Sequence, residues 1–323
     1  VEMFTGVDAY PSTIGPCVVT IGMFDGVHRG HQSLIDRAAV RARQLGLPLV
    51  LVTFDPHPLK VVAPQAMPAL LGTVVSRCAR AEEHGVDYVL AIEFDAELAA
   101  MSPAEFFSLV IVDCLQAQAV FVGENFTFGH KASGNTATLQ DLGRGYNVEI
   151  HIAPLLIDDD GATTVSSSAI RQALAAGDVA HAGAMLGRPY SVSSVVCRGA
   201  GRGGRELGYP TANLYFDDSV ALPADGVYCG WFVINDDDPV DGDMQPHRRY
   251  PAAISVGNNP TFGDARRSVE AFVLDQDAHL YDRQVSVSFV DRIRGMEKFT
   301  SVDELLAAMA RDVAATKQRL DIY

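Results

Sequence analysis

The sequence predicts two domains of different build. The first is an N-terminal, doubly wound parallel α/β sheet, and the second a small C-terminal antiparallel β-barrel or sandwich with a terminal helix. Three observations carry this. A chain of 323 residues is long for a single core. Between Cys17 and Ala153, short apolar, β-branched runs alternate with stretches of helical periodicity. After Gly187-Arg188-Pro189 the texture changes to alternating segments separated by turn residues. The boundary is expected near Leu186, giving domains 1–186 and 187–323.

In order, Cys17 to Met23 reads as a strand, and His31 to Leu45 as a helix with apolar residues at Leu34, Ile35, Ala38, Ala39 and Ala42, stopped by Gly46. Leu49 to Phe54 is a second buried strand ended by Asp55-Pro56-His57-Pro58. Val74 to His84 is helical and Asp87 to Phe94 extended. Ser102-Pro103 caps a helix expected to run to about Gln116. Ala119 to Val122 and Val148 to Ala153 complete the strands. Strand, helix, strand in this rhythm makes a parallel sheet, and such sheets bind ligands beyond the carboxyl ends of their strands. Two short helices follow from Ser168 to Leu186. Tyr190 to Cys197, Gly226 to Ile234, Ala252 to Val256, Val269 to Leu274 and Val285 to Val290 are the alternating strands, and Ser301 to Leu320 closes the chain as an amphipathic helix. The Asp-rich stretch from Asn235 to Gln245 reads as a solvated loop.

With 25 Lys and Arg against 40 Asp and Glu, the net charge of −15 argues against nucleic acid and anionic membranes as partners. It does not argue against a nucleotide, which a few amides and cations in a cleft suffice to hold. Five scattered cysteines without a C-x-x-C pair form neither a disulfide framework nor a zinc site. With no basic-then-apolar leader pattern at Val1 to Thr20 and no apolar run of spanning length, a cytoplasmic protein is expected. The oligomeric state stays open, a homo-oligomer included.

The first chemistry-bearing segment is Gly22-Met23-Phe24-Asp25-Gly26-Val27-His28-Arg29-Gly30-His31, placed between a strand and a helix. His28 and His31 are three residues apart, so at a helix start they share a side. The free amides and the positive end of the helix attract phosphate, and Gly30 permits close approach. The segment resembles the H-x-G-H loop of the nucleotidyltransferase superfamily. In its longer form, G-x-F-D-G-x-H-x-G-H, it resembles the N-terminal module of bacterial bifunctional riboflavin kinase/FMN adenylyltransferases, or FAD synthetases. Phe54-Asp55-Pro56-His57-Pro58, Gly123-Glu124-Asn125-Phe126-Thr127-Phe128-Gly129 with Gly134, and Val165-Ser166-Ser167-Ser168-Ala169-Ile170-Arg171 follow in the family's order.

The resemblance implies a nucleotidyltransferase-type sheet in which His28 and His31 serve the reaction. It also implies that Gly22, Phe24, Asp25, Gly30, Asn125, Ser167, Ser168 and Arg171 bind the substrates. Two departures stand out: Thr127 replaces a frequent basic residue, and Ser168 a common Thr. Asp25 either fixes the loop or touches the metal.

In the second half, Gly199-Ala200-Gly201-Arg202-Gly203-Gly204 satisfies G-x-G-x-x-G, but Gly208 and Pro210 forbid the helix that a dinucleotide fingerprint must open. A glycine flap over phosphates remains. Beyond it, Leu207-Gly208-Tyr209-Pro210-Thr211-Ala212-Asn213-Leu214 resembles the G-[FY]-P-T-A-N motif of riboflavin kinases. Thr211 and Asn213 offer hard oxygen ligands for Mg²⁺ beside ATP. Glu270 stands in the strand-like run Ser268-Val269-Glu270-Ala271-Phe272, after Ser255-Val256-Gly257-Asn258-Asn259-Pro260-Thr261-Phe262-Gly263. There it matches the family's catalytic Glu, a base for the substrate hydroxyl.

Together the resemblances imply a riboflavin kinase-type β-barrel and an enzyme that acts on riboflavin, FMN and ATP, with Gly199, Gly201, Gly204, Thr211 and Asn213 binding the nucleotide. An adenylyltransferase for another nucleotide, with a degenerate second domain, disagrees with the intact Thr211, Asn213 and Glu270. A non-catalytic flavin-binding protein disagrees with the retained His28, His31 and Arg171.

Overall fold

The structure is a computed structural model that describes residues 1–159, 161–198, 209–258 and 267–321. The chain divides into two compact units, Val1–Ser167 and Ser168–Tyr323.

The first unit contains β1 (Glu2–Thr5), β2 (Cys17–Ile21), α1 (Arg29–Leu45), β3 (Leu49–Asp55), α2 (Pro58–Val62), α3 (Val74–Glu82), β4 (Tyr88–Glu93), α4 (Ala96–Ala100), α5 (Pro103–Phe106), β5 (Ala117–Gly123), α6 (Thr136–Tyr146) and β6 (Glu149–Ala153). The strands form one parallel sheet in the order β1-β4-β3-β2-β5-β6. Every residue of β2 is buried, because both sheet faces are covered. Cys17, Val19 and Ile21 join a core with Phe106, Phe107, Val110 and Leu139, while Val18 points the other way, toward Leu34, Ile35 and Ala38 of α1. From β2 the chain winds through β3 and β4 to one side and later through β5 and β6 to the other. The carboxyl ends of β2 and β5 therefore flank the switch point, where open α/β sheets bind ligands.

The helix expected from Pro103 to Gln116 is a correction. Only Pro103–Phe106 is α-helical, and Phe107–Cys114 continues as a π-helix. Leu115 N–H reaches back to Val110 O at 3.0 Å, and the wider turns keep Phe107, Val110 and Ile111 in the core. Strand β1 and the helices α2, α4 and α6 are elements that the sequence pattern did not reveal.

The second unit holds α7 (Ser167–Ala176), whose first residue closes the first unit, then α8 (Val179–Leu186), β7 (Tyr190–Val195), β8 (Ala212–Phe216), β9 (Gly226–Ile234), β10 (Tyr250–Asn258), β11 (Arg267–Val273), β12 (Gln284–Arg294) and α9 (Val302–Arg319). The sheet is antiparallel in the order β7-β12-β9-β10-β11-β8. An antiparallel bridge between Cys197 and Asn213, with Cys197 N–H donating to Asn213 O at 2.9 Å, brings the two edges together into a near-closed barrel. Tyr228, Phe232 and Phe289 are fully buried, and α9 is fastened by a two-pronged pair, Arg294 Nε and Nη2 to the Asp312 carboxylate at 2.9 and 2.8 Å.

The change of texture at Leu186 comes at the end of α8, which packs against β12 and β7 and buries Val179, Ala182, Met185 and Leu186. The acidic stretch from Asn235 to Gln245 is the solvated loop expected, mostly exposed, with Met244 buried and Arg283 donating to Asp238 O at 2.5 Å and Pro239 O at 3.1 Å.

Candidate active sites

The loop from β2 to α1 is built on unusual backbone. Phe24, Gly26 and Val27 have φ of 51°, 81° and 41°. Glycine adopts this freely, but a β-branched Val27 does so only where its surroundings over-determine it. Those surroundings are explicit. Thr53 Oγ1 donates to Met23 O at 3.0 Å, the Asp25 carboxylate accepts Leu71 N–H at 3.0 and 3.2 Å, and Ser167 Oγ donates to Asp25 O at 2.8 Å. Asp25 is thus a buried anchor of the loop. Phe24, expected to bind substrate, is fully buried, with its ring centroid 5.1 Å from that of His31. Gly22 lies at the start of the loop, where an added Cβ would only touch the Phe24 ring at 3.4 Å.

His28 is the N-cap of α1: its Nδ1 accepts His31 N–H at 3.3 Å. In the neutral ring that bond leaves the proton on Nε2. The His28 and His31 rings stack with centroids 3.6 Å apart and planes 18° from parallel. A Cβ at Gly30 would lie 3.2 Å from His28 Cε1 and Nδ1, so glycine there makes room for the imidazole. Burial, then the neighbouring His28, then Arg77 hold the His31 imidazole well below its ordinary pKa, leaving it neutral at neutral pH. Its Nδ1 is buried and has no hydrogen-bond partner. Two imidazoles therefore sit at the positive end of a 17-residue helix, that of His31 with an unsatisfied buried nitrogen. Such an arrangement suits an anion.

At the end of β5, Asn125 is exposed and its Oδ1 comes within 3.2 Å of where a Gly123 Cβ would be. Phe128 is core and Phe126 half-buried, their rings stacked 5.5 Å apart. Ser167 gives its hydroxyl hydrogen to Asp25 O, so its first role is to tie the start of α7 to the loop. Ser168 is exposed and Arg171 half-buried, on one face of α7 at i and i+3.

Sequence reading missed Arg77. It is 3% exposed on α3, and its Nη1 donates to Met23 O at 3.0 Å, Thr53 Oγ1 at 2.8 Å and Phe54 O at 3.4 Å. The signal was available: Val74, Arg77, Cys78 and Ala81 have the spacing of a buried helical stripe, and a cation there needs a reason.

In the barrel, the register places Glu270 of β11 directly opposite Asn213 of β8 and Ser255 of β10. Directly opposed residues have Cβ atoms about 5 Å apart on one face of the sheet. Val269, Ala271 and Val273 alternate with Glu270 and are buried, so Glu270 belongs to the face away from the barrel core. Asn213 is buried and donates Nδ2–H to Thr211 O at 3.0 Å, which leaves its Oδ1 as the acceptor. The rings of Tyr209 and Phe272 meet at 5.1 Å, Phe272 two residues beyond Glu270. The flap residues Gly199, Gly201 and Gly204, and the segment 259–266, lie outside the described residues.

A switch-point histidine pair on a helix N-terminus, and a barrel with Asn213 and Glu270 on adjoining strands and Thr211 just before the first of them, suit a two-part nucleotide-using transferase. Family comparison makes this particular. Residues 11–169 match the FAD synthetase family and residues 186–320 the riboflavin kinase family. The bifunctional riboflavin kinase/FMN adenylyltransferase of Pseudomonas fluorescens is 38% identical over 304 residues, 93% of this chain and 92% of that protein. That of Escherichia coli K12 is 34% identical over 302 residues, 94% and 92%. A solved structure described as a macrolide-efflux protein from Streptococcus pneumoniae is 30% identical, with a TM-score of 0.85 over 98% of this chain and 99% of that one. Among the described residues of this chain, no helix is long and apolar enough to cross a membrane. The chain belongs to the bifunctional riboflavin kinase/FMN adenylyltransferase family.

Proposed function

We propose that the two units run consecutive steps. The barrel transfers the γ-phosphoryl group of ATP to the 5′-hydroxyl of riboflavin, giving FMN. In the parallel-sheet unit the FMN phosphate attacks the α-phosphorus of a second ATP, giving FAD and pyrophosphate.

The observation that carries the reading is the pairing of Glu270 with Asn213 across β11 and β8. A carboxylate that accepts the hydroxyl proton and an amide oxygen suited to a phosphate-bound cation are adjacent, as phosphoryl transfer requires. Thr211 and Asn213 supply two hard oxygens. Such a set holds Mg²⁺ together with phosphate oxygens and water, and the ion would neutralise the transferring phosphoryl group. Gly199, Gly201 and Gly204 would bind the nucleotide, as the family resemblance implies.

In the other unit no covalent help is needed. His28 Nε2–H and the His31 imidazole would hold the triphosphate at the helix terminus and stabilise the departing pyrophosphate. Asn125 would read a ring edge of the flavin or adenine, and Ser168 and Arg171 would meet phosphates as the family resemblance implies. A cytoplasmic enzyme fits its five free cysteines. Incubating the protein with riboflavin, ATP and Mg²⁺ and resolving the flavins by chromatography tests the proposal: FMN and then FAD accumulate. FMN alone, or neither product, overturns it.

A further inference from the structure

The strongest unassigned group is the buried cation beneath the β2–α1 loop. An arginine that is 3% exposed must be compensated, since burying a charge without partners is costly. Arg77 is compensated in an unusual way. One nitrogen, Nη1, spans three oxygens: Met23 O in the loop after β2, Phe54 O at the end of β3, and the Thr53 hydroxyl, which itself donates to Met23 O. The remaining Nε is buried and unpartnered. No ion pair joins Arg77 to a carboxylate among the described residues. The nearest acidic neighbours that act on it are Asp25, whose carboxylate is taken by Leu71 N–H, and Asp55. Its charge also reaches His31.

We propose that Arg77 is a positioning residue of the adenylyl-transfer site: it clamps the backbone ends of β2 and β3 so that the His28–His31 pair is correctly placed, and it fixes a positive charge beneath the site where the nucleotide's phosphates bind. The proposal rests on the adenylyltransferase reading of that site. Two consequences distinguish this role from mere filling of space. Three oxygens converge on a single nitrogen, so an ammonium with three hydrogens can serve them, whereas an apolar side chain of equal length cannot. A fixed charge beside His31 also opposes its protonation, as does His28, while Asp25 and Asp55 face Arg77 with the opposite sign and Cys78 adjoins it on α3.

The test compares Arg77→Met and Arg77→Lys in the full chain. A thermal melt of the full chain reports that the first unit of each sample is folded, and riboflavin phosphorylation in the other unit that the sample is active. With FMN supplied, Arg77→Met should lose about 10²-fold in kcat/KM for ATP in FAD formation, the scale of a misplaced reacting group. Arg77→Lys should recover most of that loss. In NMR titrations the His31 pKa should rise in Arg77→Met and stay depressed in Arg77→Lys, a readout that a packing role would not move. FAD formation in Arg77→Met within a few-fold of wild type, or an unmoved His31, overturns the proposal. If Arg77→Met fails to fold, a folded but inactive Arg77→Lys overturns it, and a folded, active one supports it. Failure of the wild type to make FAD from FMN would sink the underlying reading instead, and calorimetric binding of Mg·ATP to the same three proteins would still test Arg77.

Discussion

His28 has two separable jobs, and a pair of substitutions can tell them apart. Its Nδ1 caps α1 by accepting His31 N–H at 3.3 Å, and in the proposed function its Nε2–H donates to phosphate. Alanine removes both. Serine removes the imidazole but is among the best N-caps, so it restores the first job and not the second. Both variants lose the same stacked ring, and the difference in stability between them isolates the cap, worth about 1 kcal/mol. In a unit of this size that separates the two melting temperatures by about 2–4 °C. The catalytic donor is worth more. Removing one preorganised donor costs about 2.7–4 kcal/mol, or about 10²–10³ in rate. FAD formation from supplied FMN should therefore fall by about that factor in both variants, with no recovery in His28→Ser, although its melting temperature recovers. The assay is initial-rate FAD formation by chromatography beside a thermal melt, with riboflavin kinase activity as the internal control. If His28→Ser regains a rate within a few-fold of wild type, His28 acts as a cap alone, and the phosphate clamp must be built without it.

Three further outcomes follow from the same geometry. Glu270→Gln should reduce FMN formation by about 10²–10⁴-fold, the worth of a positioned base, and leave FAD formation from supplied FMN unchanged; a kinase rate within a few-fold of wild type removes Glu270 from the mechanism. Because burial holds the His31 pKa well below 6.5 in the folded chain, the unfolded chain takes up a proton there first as pH falls. The first unit should thus lose stability as pH drops below about 6.5, by at most about 1.4 kcal/mol per pH unit for this group, and in pH-dependent melts His31→Gln should flatten that slope. A fragment beginning at Ser168 should fold and phosphorylate riboflavin. One beginning at Gly187 should melt at a lower temperature, since it lacks the four buried side chains Val179, Ala182, Met185 and Leu186 of α8. Equal melting of the two fragments would show that α8 contributes nothing to the barrel.

By itself the sequence determined whatever is written in local order. The β-branched runs gave the parallel strands, the Gly-bracketed His28–His31 segment gave a loop at a helix start, and Gly208 with Pro210 excluded a dinucleotide fingerprint. Period and turn chemistry act over a few residues and are legible without neighbours. Tertiary structure decided what depends on long-range register and on which way a side chain points. Glu270 faces Asn213 only because β11 and β8 pair in one register, and a slip of one residue would turn it to the barrel core. Phe24 and Asp25 sit side by side in the same motif as the histidines, yet the left-handed backbone at Phe24 sends its ring inward, and Leu71 claims the Asp25 carboxylate. The π-helix after Phe106 and the clamp by Arg77 are likewise choices of packing: apolar spacing admits more than one winding, and a cation on a buried stripe finds its oxygens only when β2 and β3 lie side by side in the folded sheet.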